Sequence, residues 1–232
     1  MAGMRLGIIG GTGPQGRGLA MRLALTRVQV MIGSRQADRA KETAQELNKL
    51  MTSAAPGLSN DPTFKWIEGA GNTDVVANSD VVMLTVPYEN ADATLAELKP
   101  KFRQGQIFVD VTVPLSFDKG DVQLIIPPEG SGSKHLRTLV PDFVPFCGAG
   151  KTLPATVLEA LEHTLDCSIF VYGDDKTAKG SIMDMFARVP GLKPLDAGGM
   201  SAAATVEGIT MLLIRVNRKH KSHGGRIRVV GL

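Results

Sequence analysis

The chain has 232 residues, 43% of them hydrophobic and 21% charged, with a formal net charge of +3. That balance excludes a disordered chain and a disulfide-built scaffold, and it suits one large α/β domain with a small appendage. The positive excess gathers in Arg215, Arg218, Lys219, Lys221, Arg226 and Arg228, a basic tail on an otherwise balanced protein, so no nucleic-acid partner is expected.

Apolar runs such as Val81–Leu84 and Met211–Ile214 fall far short of the roughly 20 residues that cross a membrane. No signal peptide is recognisable at the N-terminus, and Cys147 and Cys167 lack any partner spacing. The expectation is a cytoplasmic protein with no membrane partner and two reduced, buried thiols.

In chain order, Arg5 to Gly10 is a buried strand closing in glycines, followed by a helical pattern through Leu19, Leu23 and Leu25. A second strand spans Val28 to Gly33, and a charged helix runs from about Arg35 to Leu50, with Ser34 or Asp38 near its start as a cap. Met51 to Pro62 reads as a surface loop, and Phe64 to Ile67 as a short strand. Strands at Val81 to Val86 and Ile107 to Val111 bracket an Ala-rich helix from Asn90 to Leu98. The alternation continues through Phe143 to Cys147, Ala155 to His163, Ser168 to Tyr172, Lys176 to Arg188 and Lys193 to Asp196. A helix from Ser201 to Lys219, with Val206, Ile209, Leu212, Leu213 and Val216 on one face, and a short Ile227 to Val230 strand close the chain. Such alternation predicts an α/β fold, a Rossmann-type doubly wound and mainly parallel sheet over residues 1–200, with a C-terminal helix and basic tail over 201–232.

Twenty-six glycines in 232 residues exceed the usual fraction of about 7% and point to tight turns or close backbone approach to a ligand. Gly11-Thr12-Gly13-Pro14-Gln15-Gly16 is a G-x-G-x-x-G, a weak pattern alone, here in the strand-to-helix context its chemistry requires. Gly11 suits the tight turn, Gly13 the approach of backbone to a pyrophosphate, and Gly16 close packing of helix on strand. Pro14 fits the first turn, whose free N–H groups and positive dipole end attract phosphate.

At the end of the second strand, an NAD enzyme presents a carboxylate to the ribose hydroxyls. This chain presents Ser34 and Arg35 instead, with Arg39 one turn on, so the cofactor expected is NADP, its 2′-phosphate held by charge-assisted hydrogen bonds. Thr85-Val86-Pro87 and Thr112-Val113-Pro114 follow two further strands along the same edge, where they suit the nicotinamide half; proline after a strand is also routine punctuation. The four histidines suggest no metal site, and Asp110 at a strand end and Glu207 on the last helix are candidates for a catalytic carboxylate, which hydride transfer does not need.

With these segments, and with Tyr172-Gly173-Asp174-Asp175, Gly191 to Gly198, and the end from Asn217 to Leu232 in the same order and at similar spacing, the chain resembles the F420-dependent NADP oxidoreductases over essentially its whole length. The resemblance implies reversible hydride transfer between NADP(H) and the deazaflavin coenzyme F420, with positioning as the protein's main contribution. It places Thr12, Gly13 and Gln15 on the pyrophosphate, Ser34, Arg35 and Arg39 on the 2′-phosphate, and Lys151 to Ala155 near the stacked rings. Where archaeal members carry His in that last segment, this chain has Lys151. Leu153, Pro154 and Ala155 would form the flat slot for the deazaflavin, with Lys151 and the tail around Arg215 and Arg218 near its anionic side. The resemblance also suggests a homodimer through Ile209, Leu212 and Val216. A flavin or ferric reductase and a non-catalytic NADPH-sensing module are the competing readings.

Overall fold

The computed structural model describes residues 4–58, 61, 64, 66–118 and 121–232. Its first strand, β1 (Arg5–Ile9), turns through glycines into α1 (Pro14–Ala24), and β2 (Gln29–Ser34) leads into α2 (Ala37–Ala54). Next come β3 (Glu68–Gly71), α3 (Asn72–Ala77), β4 (Val81–Leu84), α4 (Ala91–Leu98) and β5 (Ile107–Asp110). A small hairpin, β6 (Leu115–Asp118) and β7 (Asp121–Leu124), precedes α5 (Gly132–Leu139), β8 (Phe146–Gly148) and α6 (Ala155–Glu159). The chain ends with β9 (Cys167–Val171), α7 (Lys176–Ala187), β10 (Leu192–Asp196) and α8 (Ala203–Lys219).

Six strands form one parallel sheet in the order β3-β2-β1-β4-β5-β8. Because strand side chains alternate, each strand feeds two cores. Ile8, Ile32, Met83 and Val109 point to the face covered by α1, α2 and α7, with Leu19, Leu47 and Phe186. Ile9, Met31, Leu84 and Phe108 point to the opposite face, with Val75, Leu95 and Leu136 of α3, α4 and α5. This is the doubly wound, Rossmann-type arrangement the alternation predicts. The register aligns Gly33, Ile9, Leu84, Asp110 and Gly148 in one row, so the carboxyl ends of five strands open on a single edge. Strand order reverses between β1 and β4, which makes the crevice above them the expected ligand site.

Several local expectations are corrected. The strand beside β2 is Glu68–Gly71, not Phe64 to Ile67. A Cβ on Gly69 would lie 2.2 Å from the Ala40 carbonyl oxygen, so α2 sits directly on this strand and excludes the apolar side chains that would have announced it. Phe64 and Ile67 are buried before it, and Asn48 on α2 holds Ile67 through both its N–H (2.9 Å) and its carbonyl (3.0 Å). The helix expected to end near Leu50 continues through Ala54 because Met51 is fully buried against the core. Of the expected Met51 to Pro62 loop, residues 59, 60 and 62 lie outside those described.

The later strands do not extend the main sheet. β9 and β10 form their own parallel pair, joined to β8 by the antiparallel bridge between Gly148 and Tyr172. Ile227 to Val230 forms no ladder: Ser168 donates its N–H to the Ile227 carbonyl (2.7 Å), and its Oγ accepts from Val229 N (3.0 Å), so a side chain replaces a strand partner.

Candidate active site

A cleft of 1020 Å³ opens above the row of strand ends. Its centre is the glycine loop, whose parts divide the labour slightly differently from the sequence reading. The left-handed turn residue is Gly10 (φ +78°), and the turn is closed by Gly13 N–H donating to the Gly10 carbonyl at 3.0 Å. A Cβ on Gly11 would strike Ile32 at 2.6 Å, so Gly11 permits the loop to lie on β2. One on Gly16 would meet Gly11 Cα at 2.6 Å and Thr85 Oγ1 at 2.8 Å, the close helix-on-strand packing expected of it. Only Gly13 faces open space, with nothing nearer than the Gly10 carbonyl oxygen at 3.4 Å. Thr12, Gly13, Pro14 and Gln15 line the cleft, whereas Gly11 and Gly16 lie beneath it. Gly13 caps α1 and Pro14 begins it, so the positive end of that helix points into the cleft.

Ser34, Arg35 and Arg39 line one end. Ser34 Oγ accepts the Gln36 N–H (3.2 Å), which shapes the turn into α2. Neither Ser34 nor Asp38 is the cap residue: that place belongs to Gln36, with no side-chain bond. Arg35 and Arg39 are exposed and, among the described residues, neither guanidinium has an ion-pair partner. Thr85, Val86 and Pro87 form the facing wall, where Thr85 is anchored by its N–H and Oγ1, both donating to the Ile9 carbonyl at 2.9 Å. Thr112 and Val113 join the same wall, as does Tyr88, whose phenol is pushed up to about 12 by burial and by Asp92 and other nearby carboxylates.

At the other end stand Leu153, Pro154, Thr210, Leu213 and Ile214, an apolar surface shared by the segment after β8 and by α8. Gln15 Nε2 donates to the Leu153 carbonyl (3.2 Å), tying this surface to the glycine loop. Ala155 is set back from the main cleft, in an adjoining chamber of 620 Å³.

Lys151 corrects the sequence reading most sharply. Its ammonium is fully buried and turned inward, 2.7 Å from Asp110 Oδ2, with a further bond to the Thr112 carbonyl and Glu207 Oε1 at 4.0 Å. Lys151 lines the cleft, but its ammonium is committed to these buried oxygens. Arg215 also points elsewhere, to Asp121 at 3.3 Å. Asp110 and Glu207, the two candidate carboxylates, serve a buried network. Ser133 Oγ donates to Asp110 Oδ2 (2.6 Å) and lies 2.7 Å from the Tyr172 hydroxyl, while Glu207 accepts the N–H groups of Gly132 (3.0 Å) and Ser133 (2.9 Å) at the start of α5. Burial, and then Asp110, hold the Tyr172 phenol well above its ordinary range. The network joins β5, α5, β9 and α8 beneath the cleft, and Thr210 Oγ1 donates to the Lys151 carbonyl (3.1 Å) from above. Sequence reasoning missed Ser133 and Tyr172, because partners separated by 23 and 39 residues leave no local pattern.

Residues 5–114 match the family model described as NADP oxidoreductase, coenzyme F420-dependent. The F420-dependent NADP reductase of Methanocaldococcus jannaschii is 35% identical over 99% of this chain and 99% of its own length. That of Methanothermobacter thermautotrophicus is 32% identical over 99% of this chain and 96% of its own. A solved structure from Arthrobacter sp. FB24, described as an F420-dependent NADP reductase, superposes with a TM-score of 0.75 at 22% identity, covering 99% of this chain and 100% of the other, a likeness of fold. Similarity to curated reductases at that level along the entire sequence, on a sheet whose switch point carries this glycine loop and arginine pair, establishes that the chain belongs to the F420-dependent NADP reductase family.

Proposed function

We propose that this chain passes a hydride between NADP(H) and the deazaflavin F420 within the cleft, the redox chemistry belonging to the two bound molecules and their placement to the protein. The observation that carries the cofactor half is the pair Arg35 and Arg39, exposed and without ion-pair partners at the end of β2. With the Ser34 hydroxyl they match a 2′-phosphate, and residues 34–36 at the end of β2 include no carboxylate. Gly11 and Gly16 let the loop lie low, and Thr12, Gly13 and Gln15 take the pyrophosphate against the positive end of α1. Thr85, Val86 and Pro87 border the nicotinamide, and Leu153 and Pro154, facing Leu213 and Ile214, supply a flat apolar slot for the deazaflavin, with Ala155 at its outer rim. Lys151 supports this slot from below rather than touching the substrate.

On this reading residues 1–200 hold NADP, and 201–232 complete the second substrate's wall. Whole-length identity to the archaeal reductases favours deazaflavin over a flavin, a ferric chelate or a sensing role. A cytoplasmic location suits the two buried free thiols, Cys147 and Cys167. Leu212 (57% exposed) and Val216 (44%) on the outer face of α8, beside the partly buried Ile209, suit a homodimer, which light scattering at micromolar concentration tests against a monomer mass.

The deciding assay follows absorbance anaerobically with NADPH and, separately, deazaflavin, FMN and FAD. Deazaflavin is expected to be reduced fastest. Rapid reduction of FMN with none of deazaflavin overturns the acceptor assignment.

A further inference from the structure

The helix that meets the glycine loop also grips the segment that forms the apolar slot. On α1, Gln15, Gly18 and Arg22 follow one another at spacings of three and four, so they share one face. All three meet the stretch from Leu153 to His163. Gln15 Nε2 donates to the Leu153 carbonyl at 3.2 Å. A Cβ on Gly18 would lie 2.5 Å from Leu158 Cβ, so only a residue without one lets α1 lie this close to α6.

Arg22 makes the most bonds. Its guanidinium donates to four main-chain carbonyls, Nε to Leu158 (3.0 Å), Nη1 to His163 (2.9 Å), and Nη2 to both Val157 (3.1 Å) and Ala160 (2.5 Å). The residue is 6% exposed, and burial pushes its pKa below the usual arginine range. An apolar side chain would join two helices without desolvating a charge. What a guanidinium adds is direction, because its rigid fork of donors sets where each carbonyl lies.

α6 depends on such an outside partner. At five residues it is little longer than one turn, so its last carbonyls lack donors within the helix, and residues 160–166 form neither helix nor strand. The slot is tied directly to what Arg22 holds. The Pro154 carbonyl accepts the N–H groups of Val157 and Leu158 (both 3.1 Å), the two residues whose own carbonyls face Nη2 and Nε. Arg22 itself borders neither the cleft nor the adjoining chamber, and it stands nine residues past the Gly13 cap, about 13 Å along the helix axis.

We propose that Arg22 is a positioning residue for hydride transfer: by fixing α6 to α1, it sets the deazaflavin slot at a constant distance from a nicotinamide whose pyrophosphate the same helix holds. This role rests on the deazaflavin reading above. Reacting carbons must come within about 3–3.5 Å, and a misplacement of about 1 Å costs on the order of 100-fold in rate.

The test measures single-turnover reduction of deazaflavin by NADPH, counted per NADPH-binding site, in Arg22→Lys, Arg22→Met and Gly18→Ala. Lysine keeps the charge and loses the fork. Gly18→Ala keeps Arg22 and forces α6 away from α1, since its Cβ would sit at 2.5 Å where ordinary contact begins at 3.4 Å. The rate should fall at least about tenfold in Gly18→Ala and Arg22→Met, and less in Arg22→Lys, with NADPH affinity nearly unchanged because the first turn of α1 is untouched. A purely structural role would lower Tm and leave the rate per site as it was. Arg22→Lys and Gly18→Ala decide the matter if Arg22→Met fails to fold. Unchanged rates per site in these two, or a loss of NADPH affinity that matches the loss of rate, overturn the positioning role and leave the deazaflavin reading intact. No reduction of deazaflavin by the unmutated protein overturns both.

Discussion

Replacing Lys151 by methionine separates a buried structural cation from a substrate-binding one. Its side chain and that of Asp110 are each 0% exposed, and they sit 2.7 Å apart with Glu207 close by. Methionine fills similar volume but leaves two buried carboxylates without their cation. Breaking a buried pair in this way costs about 3–5 kcal/mol. At this chain length 1 kcal/mol corresponds to roughly 2–4 °C, so Tm should fall by about 6–20 °C in a thermal scan. Adding Asp110→Asn should recover part of the loss, because the second change removes one of the stranded charges. A Tm within about 2 °C of the unmutated protein for Lys151→Met, the usual outcome at an exposed lysine, refutes the buried pair.

Arg35→Asp should abolish at least a tenfold preference for NADPH over NADH, since a charge-assisted hydrogen bond contributes about 1.5–3 kcal/mol, and equal dissociation constants in the unmutated protein would contradict the 2′-phosphate site. Gly13→Ala should keep its fold and lose NADPH affinity, because its Cβ meets only the Gly10 carbonyl oxygen at 3.4 Å. Gly16→Ala should instead unfold more easily by about 1–3 kcal/mol, its Cβ being 2.6 Å from Gly11 Cα; equal Tm values for the two variants would show that the loop does not divide in this way. His135 sits between Asp92 (3.0 Å) and Glu129 (3.3 Å); burial opposes its charged form, but the two carboxylates outweigh it and raise the pKa above the usual 6.5. The stability this gives is full below pH 6.5 and lost as pH rises through the raised value, so His135→Gln should flatten that decline, an effect below about 1 kcal/mol that denaturant titrations at several pH values can resolve.

Elements carried by local pattern were legible in the sequence. β1, β2, β4 and β5 are uninterrupted apolar runs because both faces of a parallel sheet are covered, and α1 and α8 announce themselves by helical spacing. β3 was misplaced because its Glu-Gly-Ala-Gly sequence answers to the backbone of α2 and not to a hydrophobic core. The hairpin of β6 and β7, and helices α3 and α5, are too short for periodicity to stand out.

The same division holds in the cleft. The glycine loop and the Ser34-Arg35 pair could be read directly, since their chemistry depends on adjacent residues at the end of one strand. Tertiary structure alone decided the fate of the charges. A lysine in a sequence carries no sign of whether it faces water or carboxylates that belong to β5 and α8, and Lys151 turned inward because Asp110 and Glu207 arrive from residues 41 and 56 positions away. Sequence determines which side chains carry charge; the low-dielectric interior and the packing of distant elements decide which of those charges are consumed in the core and which are left for a ligand.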